Sequence, residues 1–282
     1  MIFMRFPGGK AKALTLSYDD GVGADIRLMK IMKKHGIKGT FNLNSGLFAS
    51  EDTVFEEGNE RGRLSASMIM KHYQDEDFEV AVHGLFHIFL NHAKPSEVIY
   101  DVVEDRKNLE ALFKKPIRGM AYAFGAYSAE ILPILKSAGI AYSRTVVSTN
   151  TFNLPAEPLT LHPTCHHNSN RLSELCGNFL ALSPKHDPKM FYLWGHSYEF
   201  DNDNNWNVIE EFCEKMGGID DIWYATNIEI IEYTEAYKSL IYSYDGKIVK
   251  NPTATDIYIY EILSGKEPKS YMIPAGETVI LD

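Results

Sequence analysis

The chain has 282 residues, 45% hydrophobic and 23% charged, which is long enough for one α/β barrel and ordinary for a soluble globular protein. A formal net charge of −10 without a basic patch argues against nucleic acid or an anionic membrane as a partner. Three cysteines without a Cys-x-x-Cys pair favour a reducing compartment, and neither a signal peptide nor a membrane span is evident. We therefore expect a cytoplasmic protein.

Most of the chain alternates between strand-like and helical patterns. In chain order, the predicted elements are a strand over 13–18, a helix over 24–35, a strand over 39–44, a helix over 65–73, a strand over 78–82, a helix over 95–113, a strand over 117–124, a helix over 130–138, a strand starting at 140–143, a strand over 190–194, a helix over 206–215 and a strand over 222–225. Repeated β-then-α units indicate a parallel sheet, closed or nearly so.

The last part of the chain has a different texture. Short β-rich runs over 239–249, 254–263 and 271–281 are separated by turn residues. We interpret them as a small β appendage, and the predicted division is a barrel domain over 1–236 and a β-rich extension over 237–282.

Polar residues fall at the carboxyl ends of several predicted strands, where barrels of this kind carry their working residues. Asp19 and Asp20 end the first strand, His83 follows the third, and His196 follows a late one. Four candidates at the edge where such a sheet carries its site support a functional site more strongly than any one of them alone.

The two aspartates are consecutive at a strand end, so we expect their side chains to point to opposite sides. One can then bind a metal while the other takes a proton from attacking water. The competing interpretation of Asp19-Asp20-Gly21 is a turn that caps the following helix.

His83 and His87 are four residues apart, which brings both rings to one metal if the segment turns helically after the strand. For an isolated pair, ordinary surface or core histidines are the better interpretation. Together with the carboxylate pair at another strand end, the histidines favour a metal site.

His196 is a candidate donor of a proton to the leaving group. Alternatively, it bonds the neighbouring Glu199 or Asp201 and shapes a loop.

Two further positions are ambiguous. His166 and His167 lie in a segment with a proline and without paired ligand spacing, so we favour substrate contact or a structural role over metal binding. Arg144, at the end of its strand, either tethers a catalytic carboxylate or forms a surface ion pair.

Three motifs in order carry a family resemblance: Ser17-Tyr18-Asp19-Asp20-Gly21, the pair His83 and His87, and Leu193 to His196. Across about residues 11–235 the chain resembles the polysaccharide deacetylases with the NodB-homology domain. The resemblance implies an irregular, distorted TIM-like (β/α) barrel. It also implies that Asp19 is the general base, that Asp20, His83 and His87 bind the metal, and that His196 is the general acid.

The family's third motif departs from its usual form. The segment Met120 to Gly125 lacks the arginine that normally steadies the base, and Arg144 from the next strand is a hypothetical substitute. The backbone N–H near Phe124 would help to hold the oxyanion. Residues predicted to contact substrate, stabilise the oxyanion or support the site are Tyr122, Phe124, Gly125, Arg144, His166, His167, Trp194 and Glu199.

The implied reaction is removal of an acetyl group from an N-acetylated or O-acetylated sugar or oligosaccharide. One divalent metal is expected, with zinc as the default and cobalt or nickel as alternatives. The missing signal peptide favours a small intracellular acetylated compound over a cell-wall polymer. Rival interpretations are hydrolysis of another small C–N bond compound, or a catalytically silent carbohydrate-binding protein on the same fold.

Overall fold

The computed structural model describes residues 1–53, 62–265 and 267–281. Its helices are α1 Asp25–Lys34, α2 Ala66–His72, α3 Pro95–Phe113, α4 Ile131–Ser137, α5 Leu172–Ala181, α6 Glu199–Asn202, α7 Asn207–Met216 and α8 Asn227–Lys238. Its strands are β1 Ile2–Arg5, β2 Lys12–Asp19, β3 Gly39–Leu43, β4 Phe78–Val82, β5 Gly119–Ala121, β6 Tyr142–Arg144, β7 Cys165–His166, β8 Lys189–Gly195, β9 Ile222–Tyr224, β10 Ile241–Tyr242, β11 Ile248–Lys250, β12 Ile257–Glu261, β13 Lys269–Ile273 and β14 Thr278–Ile280.

Eight strands form one curled parallel half-barrel sheet surrounded by helices. Its order is β6-β5-β4-β3-β2-β8-β7, and β9 pairs with β2. β8 pairs along one edge of β2 from Lys12 to Tyr18, so β9 and β3 share the opposite edge. The predicted α/β fold with a parallel sheet is confirmed.

All eight residues of β2 are buried, as expected for a strand with neighbours on both edges and layers on both faces. The strands around it run in the same direction, so their carboxyl ends meet at one edge of the sheet. This edge brings together the ends of β2, β4, β6, β7 and β8, and with them the candidate site residues.

Several predicted elements differ from the structure. The strand predicted over 117–124 is only Gly119–Ala121, because the chain then makes a tight turn in which Phe124 and Gly125 have φ of 57° and 66°. The short strand β7 and the helices α5, α6 and α8 were not predicted. The predicted helix over 95–113 has the same bounds as α3.

The C-terminal extension forms two small antiparallel sheets, as its β-rich texture suggested. One has the order β10-β11-β14 and the other β1-β12-β13. The second sheet therefore includes the first strand of the chain, with Ile2 opposite Glu261. Met4 and Ile259 share an apolar cluster with Met190 and Tyr192 of β8, so the extension packs directly on the barrel. The exact domain division at residue 236 stays a prediction.

Across the part of the chain that the structure describes, no helix has the length and apolar character to cross a membrane.

Candidate active site

Asp19 lies at the end of β2, buried, with both carboxylate oxygens in contact with polar groups. Oδ1 accepts a hydrogen bond from Nδ2 of Asn42 at 2.8 Å, and Oδ2 forms an ion pair with the guanidinium of Arg144, which is fully buried. Nε2 of His83 and Nε2 of His196 lie 3.6 and 3.8 Å from the same Oδ2. Burial opposes ionisation, yet Arg144, followed by His83 and His196, lowers the pKa of Asp19 to about 2. The carboxylate is therefore ionised at neutral pH.

Asp20 turns away from strand geometry, with a φ of 91° that is rare for a residue other than glycine. Because of this turn, the two aspartates do not point to opposite sides, and that prediction is wrong. Nε2 of His83 lies within 4.0 Å of both carboxylates. Arg63 holds the turn through an ion pair to Oδ1 of Asp20 at 2.8 Å and a contact with the Asp20 carbonyl oxygen.

His83 and His87 come together without the helical turn that their spacing suggested. Gly84 has a φ of 82° and His87 one of 54°, so an irregular loop returns the second ring to the first. The ring centroids are 4.8 Å apart, and Nε2 of His87 lies 3.8 Å from Oδ1 of Asp20. The helical turn on which the convergence was made to depend is absent, but the three predicted ligands lie close together.

The donor set of Asp20, His83 and His87 suits a divalent cation. One ligand atom from each residue lies within 4.8 Å of the other two. Nδ1 of His83 contacts the Ala121 carbonyl oxygen at 2.9 Å, so this nitrogen carries the ring proton and Nε2 presents a lone pair. Nε2 is buried and has no hydrogen-bond partner among the described residues. A buried imidazole with an unpaired acceptor beside a carboxylate fits a metal ligand.

His196 lies directly after β8, between two carboxylates. Nε2 faces Asp19, and Nδ1 lies 3.3 Å from Oε1 of Glu199. Burial lowers the pKa of His196, but Glu199 and Asp19 outweigh it and raise the pKa overall. The proximity to Glu199 that the alternative interpretation predicted is present, and Nε2 on the other side of the ring faces Asp19, while the role of proton donor stays a prediction.

His166 and His167 extend this cluster from the end of β7. Nε2 of each ring lies 3.1 Å from Oε2 of Glu199. Burial opposes ionisation of Glu199, but the three histidines lower its pKa far below the usual range.

The remaining predicted residues lie at different distances from this centre. The ring of Trp194 stacks on the guanidinium of Arg144 at 4.4 Å and supports it. Phe124 is 53% exposed and its ring contacts His87 at 4.4 Å. Gly125 follows in a left-handed conformation against Val146. Tyr122 is buried and its hydroxyl donates to the Leu159 carbonyl, so this side chain is structural.

Sequence reasoning missed the polar residues that support the aspartates. Nδ2 of Asn42 donates to Asp19, while Nδ2 of Asn44 donates to the carbonyls of His83 and Gly84 at 2.7 Å. Both asparagines stand at the end of β3, so their place at the carboxyl edge was an available signal. Arg63 precedes α2 in a loop and carries no comparable signal.

This arrangement can hold a cation at Asp20, His83 and His87, with a carboxylate and an imidazole facing one another beside it. Asp19 is ionised and can accept a proton, while His196 is favoured in its protonated form and can donate one. The combination suits hydrolysis of an acyl bond.

Comparisons with known proteins agree in fold. Residues 7–143 match the family model described as polysaccharide deacetylase. No curated protein sequence matches the chain. A solved structure from Mycobacterium smegmatis assigned to the polysaccharide deacetylases is similar with a TM-score of 0.56 at 14% identity, over 83% of this chain and 93% of that one.

Two further solved structures have lower scores. A family 4 carbohydrate esterase from Streptomyces lividans in complex with acetate has a TM-score of 0.49 at 11% identity, over 77% of this chain and 93% of that one. The deacetylase PplD from Streptococcus pyogenes, also with acetate, has a TM-score of 0.44 at 19% identity, over 52% of this chain and 61% of that one.

Proposed function

We propose that the chain, whose residues 7–143 match the polysaccharide deacetylase family model, is a metal-dependent hydrolase that removes an acetyl group from an N-acetylated or O-acetylated sugar. The observation that carries this proposal is the convergence of Asp20, His83 and His87 within 4.8 Å, next to the facing pair Asp19 and His196. The alternative, in which Asp19-Asp20-Gly21 is only a turn that caps a helix, gives no reason for two histidines to lie beside the aspartates.

Asp20, His83 and His87 would hold the metal, for which we propose zinc, with cobalt or nickel acceptable to the same ligands. When bound, such a metal polarises the acetyl carbonyl and acidifies water. The chain's own contribution is to keep the two imidazole lone pairs and the Asp20 carboxylate aimed at one point, which the Arg63 ion pair and the Ala121 carbonyl contact support.

Asp19 is the proposed general base. Its carboxylate takes the proton of the attacking water, and Arg144 and Asn42 keep that carboxylate in place and ionised. In this role Arg144, which comes from β6, substitutes for the arginine absent from the third motif.

His196 is the proposed general acid and protonates the departing amine or alcohol through Nε2. Glu199 orients the ring through Nδ1 and favours the protonated form. The backbone N–H of Phe124 is the proposed oxyanion donor.

A pair of exposed aromatic rings supports a carbohydrate substrate. Phe89 and Phe124 stack in parallel with centroids 3.9 Å apart and remain 46% and 53% exposed, and the Phe124 ring contacts His87. Flat apolar surfaces of this kind suit the less polar face of a sugar ring.

The test is acetate release from a set of acetylated mono- and oligosaccharides by the metal-loaded protein. We expect Asp19→Asn and His196→Ala to abolish release while metal content, measured by elemental analysis, stays at the wild-type level. Unchanged release in either variant would contradict the assigned roles.

The same experiment separates the rival functions. A protein that binds metal and sugars but releases no acetate is the silent carbohydrate-binding protein. Release of ammonia or an amine from small ureides or imides, without acetate, indicates hydrolysis of another C–N bond. A purified protein without stoichiometric metal, indifferent to chelators, refutes the central proposal.

A further inference from the structure

A second cluster, His166, His167, His196 and Glu199, has the composition of a metal site. One ligand atom each from His166, His196 and Glu199 lies within 4.8 Å of the others. Two interpretations follow: the cluster binds a second cation, or it is a network of N–H donors around one carboxylate. The protonation of its rings distinguishes the two.

The tautomer of the neutral His166 ring is indicated by a hydrogen bond to its Nδ1. Its Nδ1 accepts a hydrogen bond from the backbone N–H of Asn168 at 3.1 Å, so in the neutral ring the proton is on Nε2. That Nε2 faces Oε2 of Glu199 at 3.1 Å. His83 shows the opposite pattern, because its Nδ1 contacts the carbonyl oxygen of Ala121 and Nε2 is left as a lone pair. The ring of His83 therefore presents a lone pair that can bind a metal, whereas the neutral ring of His166 presents an N–H group to the Glu199 carboxylate.

His167 is held in one place by close packing. It is 1% exposed, and its ring stacks against Phe200 and Tyr18 with centroid distances of 4.2 and 5.7 Å. A Cβ at position 195 would lie 2.1 Å from its Nδ1, so Gly195 is required for the ring to fit against β8. This packing sets Nε2 3.1 Å from Oε2 of Glu199, beside His166.

The two carboxylate oxygens of Glu199 therefore face different partners: Oε2 faces His166 and His167, and Oε1 faces His196. Oε2 faces both imidazoles and also accepts the backbone N–H of His196 at 3.2 Å, while Oε1 faces Nδ1 of His196 at 3.3 Å. An ionised carboxylate can only accept hydrogen bonds, so each neighbouring N–H group that points at it can help to hold it in place.

We propose that His166 and His167 are positioning residues of the proposed deacetylase site: they hold the carboxylate of Glu199, which in turn orients His196 toward Asp19. The kinetic meaning of this inference rests on the proposed function. Within the part of the chain that the structure describes, His166 and His167 contact neither the proposed metal ligands nor Asp19, so their proposed effect on His196 passes through Glu199.

The electrostatics of the cluster agree with this arrangement. The charged and titratable groups that face His196 include Asp19 and Asp20 at the end of β2, Glu199 in α6, the nearby Tyr198, and His166 and His167 at the end of β7. Burial lowers the pKa of His167 to about 4, so this ring is neutral and lies against Glu199 without adding charge.

The test compares two kinds of variant at each position. His166→Phe and His167→Phe keep a ring but remove the N–H, while His166→Gln and His167→Gln retain an amide N–H near the place of Nε2. His35→Phe, at the end of α1, is the matched control. Because His167 is tightly packed, the partly exposed His166 provides the variant that keeps the fold. The measurements are kcat and KM for acetate release, zinc per chain by equilibrium dialysis, and the His196 pKa by ¹⁵N NMR.

We expect kcat to fall roughly 10–100-fold in the Phe variants, with KM and zinc content unchanged, and to recover in the Gln variants. The His196 pKa should fall in the Phe variants, and His35→Phe should match the wild type. An unchanged pKa and kcat in His166→Phe would overturn the proposal. A second zinc per chain that His166→Phe abolishes would overturn it in favour of a second metal site.

The NMR and dialysis measurements require no substrate, so the two proposals can fail separately. If the wild type releases no acetate but the His196 pKa responds to His166→Phe, the positioning network stands and the proposed function fails. If the wild type releases acetate but the His196 pKa does not respond to His166→Phe, the proposed function stands and the positioning network fails.

Discussion

Replacing Arg144 by methionine should destabilise the protein chiefly because it leaves Asp19 as a buried carboxylate without its cation. Arg144 is fully buried, pairs with Asp19 and stacks on Trp194. Methionine fills a similar volume without charge, so the packing on Trp194 is largely kept. The effect of the substitution therefore measures the ion pair.

The expected loss is large and depends on pH. Removing one partner of a buried ion pair costs about 3–5 kcal/mol. The pKa of Asp19 is about 2 in the folded protein against an ordinary 3.8, so its ionisation contributes roughly 2–3 kcal/mol that is present above pH ~4 and lost as pH falls toward 2. In Arg144→Met the burial of Asp19 is less opposed and its pKa should rise. The variant should therefore be closest to the wild type in acid.

Urea unfolding of metal-free protein between pH 4 and pH 8 measures this difference, with Asp19→Asn and the double variant completing a thermodynamic cycle. We expect a coupling energy of about 2 kcal/mol or more at pH 7. If Arg144→Met costs as much in the Asp19→Asn background as in the wild type, the ion pair is not what stabilises this position, and the reasoning is refuted.

Three further changes test other parts of the structure. Gly46→Ala places a Cβ 2.5 Å from the Leu85 carbonyl oxygen, so the loop between the histidine ligands must shift; competition with a chelator should show weaker metal binding, and equal affinity would contradict this. Burial raises the Glu79 pKa to about 7, so wild-type stability should fall by up to about 3 kcal/mol relative to Glu79→Gln from pH 4 to pH 8 in urea unfolding, whereas parallel curves would exclude it. Phe89→Ala should raise KM for an oligosaccharide several-fold at constant metal content, and an unchanged KM would remove Phe89 from the substrate surface.

The regular part of the fold could be predicted because local patterns determine it. Helix α3 has an amphipathic sequence that begins with a proline, and both ends were predicted correctly. Strands such as β4 are short apolar runs bounded by turn residues. Helix α8 was missed although Thr226 and Glu229 form a capping box at its start, because its isoleucines and tyrosines are equally common in strands.

The candidate site could be predicted in composition but not in geometry. Asp19, Asp20, His83, His87 and His196 were selected because polar residues at the carboxyl ends of parallel strands meet at one edge. Their directions depend on backbone torsions that no spacing reveals, such as the positive φ of Asp20 and His87. The alternation rule for regular strands gave the wrong directions for the two aspartates, and the two histidines converge through an irregular loop and not through the helical turn that their spacing suggested.

Supporting residues were harder still, because their partners are distant in sequence. Arg144 contacts Asp19 only because β6 and β2 belong to one curled sheet. Glu199 lies near three imidazoles that stand at the ends of β7 and β8. Single residues of this kind have no local pattern. Arg144 was singled out by its place at a strand end, which left a surface ion pair as an equal alternative, and the arginine missing from the family's third motif added the hypothesis that it substitutes there.

The pairing of β1 with β12 has a consequence for how the protein is made. Ile2 pairs with Glu261 and Arg5 with Tyr258, so β1 can pair with β12 only after more than 250 further residues have been synthesised. At translation rates of about 5–20 residues per second, β1 lacks its partner strand for roughly ten to fifty seconds while the barrel is being synthesised. During that interval the nascent chain offers an unpaired strand to any other polypeptide or chaperone. Synthesis of β12, and not the assembly of the sheet edge that carries the candidate site, is then the step that ends this exposure.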